Sequence, residues 1–178
     1  MPPAPEPTRR LFFALWPDAM VRQAIDGFSR RRIRKLARRV PEDKLHITLA
    51  FAGAVTAPVQ SCLEEVAGRI VAPPFELGID RAGYWQGPRI IWIGPSQVPA
   101  ALWGLVGALR QAFEACGLEP EQRAYRPHIT LARKAGRGLE GERFEPIPWS
   151  IRDFSLIESV TGPAGTGYRP LRRWALEG

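Results

Sequence analysis

The sequence predicts an α+β fold of two related lobes, each an antiparallel sheet with helices on its outer side, flanking a central cleft. Three observations carry this. The pentapeptide His-Ile-Thr-Leu-Ala occurs at 46–50 and again at 128–132, and its histidines are the only 2 in the chain. The same order of segments, strand then helix then histidine strand, leads into both copies. A chain of 178 residues that is 45% hydrophobic suits one compact domain or two small lobes sharing a core.

The elements follow in order. Residues 1–8 carry no basic start followed by an apolar block, so they are read as a disordered tail before a single bilobal domain at 9–178. Residues 11–16 form a short apolar strand, ended by Pro17 and by Asp18, a good helix N-cap. The spacing of Val21, Ile25, Phe28, Ile33, Leu36 and Val40 predicts a helix to about Arg39, broken by Pro41-Glu42-Asp43 before the first histidine strand. A helix over about 57–71 and a strand over 75–79 come next, with Tyr84-Trp85 in a turn before Arg89. The second half repeats the scheme: a strand at 89–93, a turn at Gly94-Pro95-Ser96, a helix over 98–116 stopped by Gly117, and the second histidine strand. Strand-like sequence at 149–160 and a closing strand at 168–176 end the chain. The halves read as pseudo-repeats at about 10–88 and 89–178.

Composition narrows the classes. No apolar run approaches the roughly 20 residues of a membrane span, so a soluble cytoplasmic protein without a membrane partner is expected. Cys62 and Cys116, far apart in sequence, are too few for a disulfide framework and are read as buried packing residues. The net charge is +7, with arginine well ahead of lysine, which fits a polyanionic partner without choosing among RNA, DNA and phosphate.

Side chains alternate along a strand, so His46 and Thr48 share one face while Ile47 and Leu49 share the other. Carried outward, the alternation adds Lys44 to the first polar face, and Arg126 to the face of His128 and Thr130. Each lobe then offers a cation, an imidazole and a hydroxyl. In-line hydrolysis of a phosphodiester needs a base for water and an acid for the departing oxygen, on opposite sides of phosphorus. Paired histidines, His46 and His128, supply both, and threonine hydroxyls with nearby guanidinium groups answer the phosphate charge. A metal mechanism fits worse, because neither histidine has a second ligand four residues on and no carboxylate sits inside either motif. A lone histidine on a strand is usually an ordinary hydrogen-bonded residue. Identical placement in both halves favours a shared functional cleft.

These residues resemble the two-histidine phosphoesterases, and among them the bacterial RNA 2',3'-cyclic phosphodiesterases once described as 2'-5' RNA ligases. The likeness covers most of the chain: Arg10 to Leu15, the first motif with Phe51-Ala52-Gly53, the second as Arg126-Pro127-His128-Ile129-Thr130-Leu131-Ala132-Arg133, then Leu156 to Ser159 and 168–176. It implies the bilobal two-histidine phosphoesterase fold and opening of a terminal 2',3'-cyclic phosphate to a 2'-phosphate, without cofactor or metal. By carry-over His46 protonates the leaving 3'-oxygen, His128 activates water, and Thr48 and Thr130 hold the phosphate. The reverse reaction, with a 5'-hydroxyl in place of water, implies 2'-5' ligation as a side activity. The implied partner is RNA with cyclic-phosphate ends, such as tRNA fragments, or nucleotides, acted on by a monomer. The family pattern makes Arg133 a substrate contact, yet strict alternation puts it on the face opposite His128 unless a bulge or a strand end follows Leu131.

The run from Arg30 to Arg39 reads, as helix, as a basic stripe of Arg31, Arg34, Lys35 and Arg38. It is either an RNA-backbone contact or a solvated helix face that suits its own dipole. Tyr84, Trp85 and Tyr168 are the candidates for stacking or contacting substrate. Glycines 162, 165 and 167 shape a turn and not a phosphate loop. Two rival readings remain: the same site acting on a small cyclic-phosphate nucleotide or a 2'-5' oligoadenylate, and a module that binds RNA ends without turnover.

Overall fold

The computed structural model describes residues 6–33, 36–139 and 141–178. Its elements run β1 (Thr8–Leu15), α1 (Ala19–Ile33), β2 (Arg38–Arg39), β3 (Ile47–Thr56), α2 (Ala57–Ala67), β4 (Phe75–Trp85), β5 (Ile90–Gly94), α3 (Ala100–Ala115), β6 (Ile129–Arg133), β7 (Arg143–Ile151), β8 (Asp153–Gly162) and β9 (Gly165–Ala175). A 3₁₀ turn, Glu42–Lys44, leads into β3. No helix among the described residues is long and apolar enough to cross a membrane.

The strand order is β7-β4-β5-β6-β3-β1-β8-β9, with β2 added against β6, and the pairings are antiparallel. β3 and β6, which continue from the two histidines, meet in the middle through one residue pair, Ile47 with Ile129. On either side of that seam the order is mirrored: β3-β1-β8-β9 matches β6-β5-β4-β7. The two antiparallel sheets expected are thus the two halves of one nine-stranded sheet, joined at that rung. Strands are exchanged between the chain's halves to make them, since β4 joins β5 and β8 returns to β1.

Packing is exchanged as well. Phe28 of α1 meets Phe144 of β7 with ring centroids 4.3 Å apart, and Phe113 of α3 meets Phe13 of β1 at 6.1 Å. Phe13, Phe113 and Phe154 are fully enclosed, each contributing roughly 1.5–3 kcal/mol of burial. One continuous core therefore runs beneath both sheets.

Several boundaries differ from the sequence reading. Thr8, placed in the tail, already pairs with Thr56, and residues 1–5 lie outside the described residues. Helix α1 does stand on its cap, the Asp18 carboxylate accepting from the Val21 amide at 2.9 Å. It ends at Ile33 and not near Arg39. The apolar spacing continues through Leu36 and Val40, but β6 offers an open edge: Arg38 and Arg39 pair with Arg133 and Ala132, and the Val40 amide donates to the Leu131 carbonyl at 2.7 Å. Tertiary pairing overrides local periodicity here. Buried Asp26 ties the departing chain back to α1, accepting from Arg39 at 2.9 Å and Arg30 at 2.6 Å. Burial pushes its carboxyl up, but the two guanidinium groups outweigh that and leave its pKa lowered. Of the expected basic stripe, Arg38 leaves the helix, and Arg34 and Lys35 lie outside the described residues.

Helix α2 stops at Ala67, short of 71. Strand β4 runs on past 79 to Trp85, so Tyr84 and Trp85 lie in a strand paired with Ile91 and Ile90, not in a turn. The stretch 149–160 is two strands, β7 and β8, bent at Arg152. Gly117 ends α3 with φ 74°, as its position suggested. Cys62 and Cys116 are not free packing residues. They are half-buried and joined as a disulfide, with Cα atoms 5.8 Å apart, linking α2 to the end of α3. Their separation of 54 residues gave no sign that the two helices are neighbours.

Candidate active site

The repeated pentapeptide builds the site directly. Ile47, Leu49, Ile129 and Leu131 point into the core, all at most 3% exposed, which turns His46, Thr48, His128 and Thr130 outward. The antiparallel register about Ile47 and Ile129 sets His46 across from Thr130, and Thr48 across from His128. All four line one cavity of about 700 Å³.

Both imidazoles are held alike. His46 Nδ1 lies 2.7 Å from the Lys44 carbonyl, and His128 Nδ1 lies 2.7 Å from the Arg126 carbonyl. A carbonyl only accepts, so each Nδ1 carries the proton and each Nε2 is left for chemistry. The Thr48 hydroxyl sits 3.2 Å from His46 Nε2. Across the lobes, the Tyr125 hydroxyl donates to the Thr48 carbonyl at 3.2 Å, and burial pushes that phenol's pKa up.

The surroundings of the rings differ. His46 is stacked on Trp16 (5.1 Å, 6°), with Tyr168 edge-on at 5.2 Å and Phe12 at 5.1 Å. His128 has Trp85 edge-on at 4.5 Å. Burial pushes the His46 pKa down to about 4, helped by the charges of His128 and Arg133 and opposed by the Lys44 carbonyl. Burial and then Arg133 lower His128, against the Arg126 carbonyl. Both rings are thereby biased towards the neutral form.

Arg133 lines the same cavity. The bulge that alternation requires is present: Trp92 pairs with Thr130 and Ile91 with Ala132, so Leu131 is passed over and the following side chains change face. β3 does the same at Leu49, since Ala14 pairs with Thr48 and Phe13 with Ala50. Five residues beyond its histidine, each motif thus delivers a side chain to the cavity, Arg133 from one lobe and Phe51 from the other. Phe51 is 47% exposed, with the Arg10 guanidinium 4.7 Å from its ring centre.

Arg10, Arg38, Arg39, Lys44 and Lys134 also line the cavity, and no carboxylate does among its described lining residues. Lys44 has its ammonium 2.6 Å from the Thr166 carbonyl, clipping the tip of the β8–β9 hairpin to the entry of β3. Tyr168 lines the cavity against His46. Arg126 departs from the expected line: its carbonyl holds His128, but the residue lines a second cavity, with Pro127, and not the histidine cavity. Arg10, Arg39, Phe12, Trp16 and Phe51 were not named as site residues from sequence, and Arg38 was expected on a helical basic stripe and not on a strand beside the histidines. Only Phe51 had a local signal, its offset from His46 being that of Arg133 from His128. No group of three or more His, Cys, Asp or Glu is placed to hold a metal ion among the described residues.

This geometry offers two imidazoles with Nε2 unprotonated, that of His46 beside the Thr48 hydroxyl, and a cationic wall, a site able to move protons at both ends of a bound phosphodiester. Known proteins with matching sequence or structure point the same way. The family model for the 2'-5' RNA ligase superfamily matches residues 16–162. The RNA 2',3'-cyclic phosphodiesterase of Escherichia coli strain K12 is 38% identical over 174 residues, 94% of this chain and 97% of that protein. The crystal structure of E. coli LigT in apo form superposes with a TM-score of 0.89 at 35% identity, covering 97% of this chain and all of that one. A complex of E. coli LigT with 3'-AMP matches at a TM-score of 0.86 and 35% identity, over 96% of this chain and 99% of that one. The repeated motif, the mirrored sheets and these matches together make the chain a member of the 2'-5' RNA ligase superfamily.

Proposed function

We propose that this protein hydrolyses RNA ends carrying a 2',3'-cyclic phosphate to 2'-phosphomonoesters, by acid–base catalysis that uses no metal. The observation that carries the reading is the pair of histidines lining one cationic cavity, each with its Nδ1 proton engaged by a carbonyl so that Nε2 is the atom that exchanges protons. The names of the similar proteins, RNA 2',3'-cyclic phosphodiesterases from several organisms, agree with it.

In this mechanism His128 Nε2 takes a proton from water as its oxygen attacks phosphorus. The bond from phosphorus to the 3'-oxygen breaks in line, and His46, protonated on Nε2, gives its proton to that oxygen. The products are a free 3'-hydroxyl and a 2'-phosphate, and the two rings exchange protonation states. Thr48, Thr130 and Arg133 hold the non-bridging oxygens. The lowered pKa of His128 favours its neutral form and suits it as a base. His46 needs a proton first, and the anionic substrate favours it by adding negative charge beside a ring depressed by burial and positive neighbours. With a 5'-hydroxyl in place of water as the nucleophile, the same steps form a bond from phosphorus to the 5'-oxygen, break the bond to the 3'-oxygen and leave a 2'-5' linkage.

The test uses RNA oligonucleotides of one sequence in EDTA, ending in a cyclic phosphate or in a 3'-hydroxyl, with products separated by chromatography. Ring opening of the first without cleavage of the second is expected. Cleavage at internal linkages of both would mark a general ribonuclease instead.

A further inference from the structure

The polar face that carries His128 and Thr130 does not stop at β6. Thr130 pairs with Trp92 on β5, and Trp92 pairs with Gly83 on β4, so the face continues outward through Trp92 to Arg81, Gly83 and Trp85. Gly83 makes this possible: a Cβ there would lie 2.3 Å from the Trp92 ring, so glycine lets the indole lie flat on β4. Trp85 sits 5.2 Å from Trp92, and the Arg81 guanidinium lies 5.7 Å from the Trp92 ring centre. Trp103, 47% exposed on α3, meets Tyr125 edge-on at 5.8 Å. With the Arg126 side chain they line the second cavity, about 570 Å³. It adjoins the histidine cavity: Pro127 lines one and His128 the other, and Trp85 touches the His128 ring at 4.5 Å.

Aromatic planes with interleaved guanidinium groups are how proteins grip single-stranded RNA, the rings stacking on bases and the arginines answering phosphates. No acidic side chain lines this cavity among its described residues, and the whole chain is positive at +7. We propose that this Trp–Arg cavity is a second nucleobase subsite, taking a base of the RNA strand beyond the nucleotide that reacts. The proposal rests on the RNA reading of the histidine site and adds strand length to it: oligonucleotides are gripped at two places, a mononucleotide at one. Arginine and tryptophan side chains here act in binding alone and transfer no proton.

The variants Arg81→Ala and Trp103→Ala remove exposed side chains, and their combination is compared with wild type on a cyclic mononucleotide and on a hexanucleotide ending in a cyclic phosphate. For the hexanucleotide KM rises about tenfold or more, the scale of losing one base stack, with kcat unchanged. For the mononucleotide both constants stay put. An equal loss on both substrates, or no loss on either, overturns the subsite. If the wild-type protein turns over neither substrate, the hydrolytic reading fails separately. Titration of the same hexanucleotide ending in a 2'-phosphate, followed by tryptophan fluorescence, then decides the cavity. Binding weakened about tenfold in the double variant supports it, and unchanged binding overturns it.

Discussion

Ile47 and Ile129 form the single rung that joins the two sheets, and each stands immediately after a histidine of the repeated motif. This strand contact between the lobes thus also sets the two imidazoles on a shared cleft. Both isoleucines are fully buried, so the placement of the histidines is fixed by core packing and not by the loops around the site.

Loss of either imidazole should cost the positioned acid or base. His46→Ala and His128→Ala are each expected to lower kcat by roughly 10²- to 10⁴-fold with small changes in KM. Steady-state kinetics beside circular dichroism checks this, and equal activity in a folded variant would remove that residue from the mechanism.

The proton balance of binding follows from the depressed histidines. The His46 pKa is held at about 4 by burial, so that imidazole favours its unprotonated form at pH 7. Binding of a 2'-phosphate nucleotide adds negative charge beside it and should draw a proton from solution. Calorimetry in buffers of different ionisation enthalpy measures this, with net uptake expected.

Arg133 lowers the pKa of both rings after burial has done so. Arg133→Gln is therefore expected to raise both histidine titrations towards the ordinary value, read by NMR of the ring protons, while also raising KM for the anionic substrate. Raised KM with unmoved titrations would separate phosphate binding from tuning of the rings.

The same shifts give a stability trend with pH. A histidine whose folded pKa lies below its unfolded value is favoured in the fold above about pH 6.5. That stability is lost as pH falls towards the folded value, about 4 for His46. Urea melts between pH 7 and 4 should show a falling midpoint that is shallower in the His46→Ala protein.

The Cys62–Cys116 bond closes a loop across a separation of 54 residues, which in the chain-entropy account stabilises by about 4 kcal/mol. It joins α2 and α3, and neither cysteine lines the histidine cavity. Reduction should lower the thermal midpoint and leave kcat unchanged at 25 °C, whereas loss of activity without unfolding would tie the bond to the site.

How much of this was legible in the sequence depends on which interactions set each feature. The histidine strands, the Asp18 cap, the Gly117 stop and the sharing of one cleft by His46 and His128 rest on local pattern and on repetition, and they could be read directly. Arg133 needed a bulge or a strand end near Leu131 that sequence alone could not show, and the skipped Leu131 supplies the bulge. Arg38 and Arg39 reach the cavity because β6 has an open edge, a property of the assembled sheet that no helical spacing near Leu36 reports. Trp85 was singled out as a turn residue, but its place beside His128 depends on β4 from one half pairing with β5 from the other.

The central claim is tested most directly by phosphorus NMR of an RNA ending in a 2',3'-cyclic phosphate, incubated with the protein in EDTA. Two-histidine catalysis predicts conversion of the cyclic signal to a single 2'-phosphomonoester, with none formed by His46→Ala or His128→Ala. A 3'-phosphate, a mixture of both isomers, or conversion that survives removal of both imidazoles would contradict it.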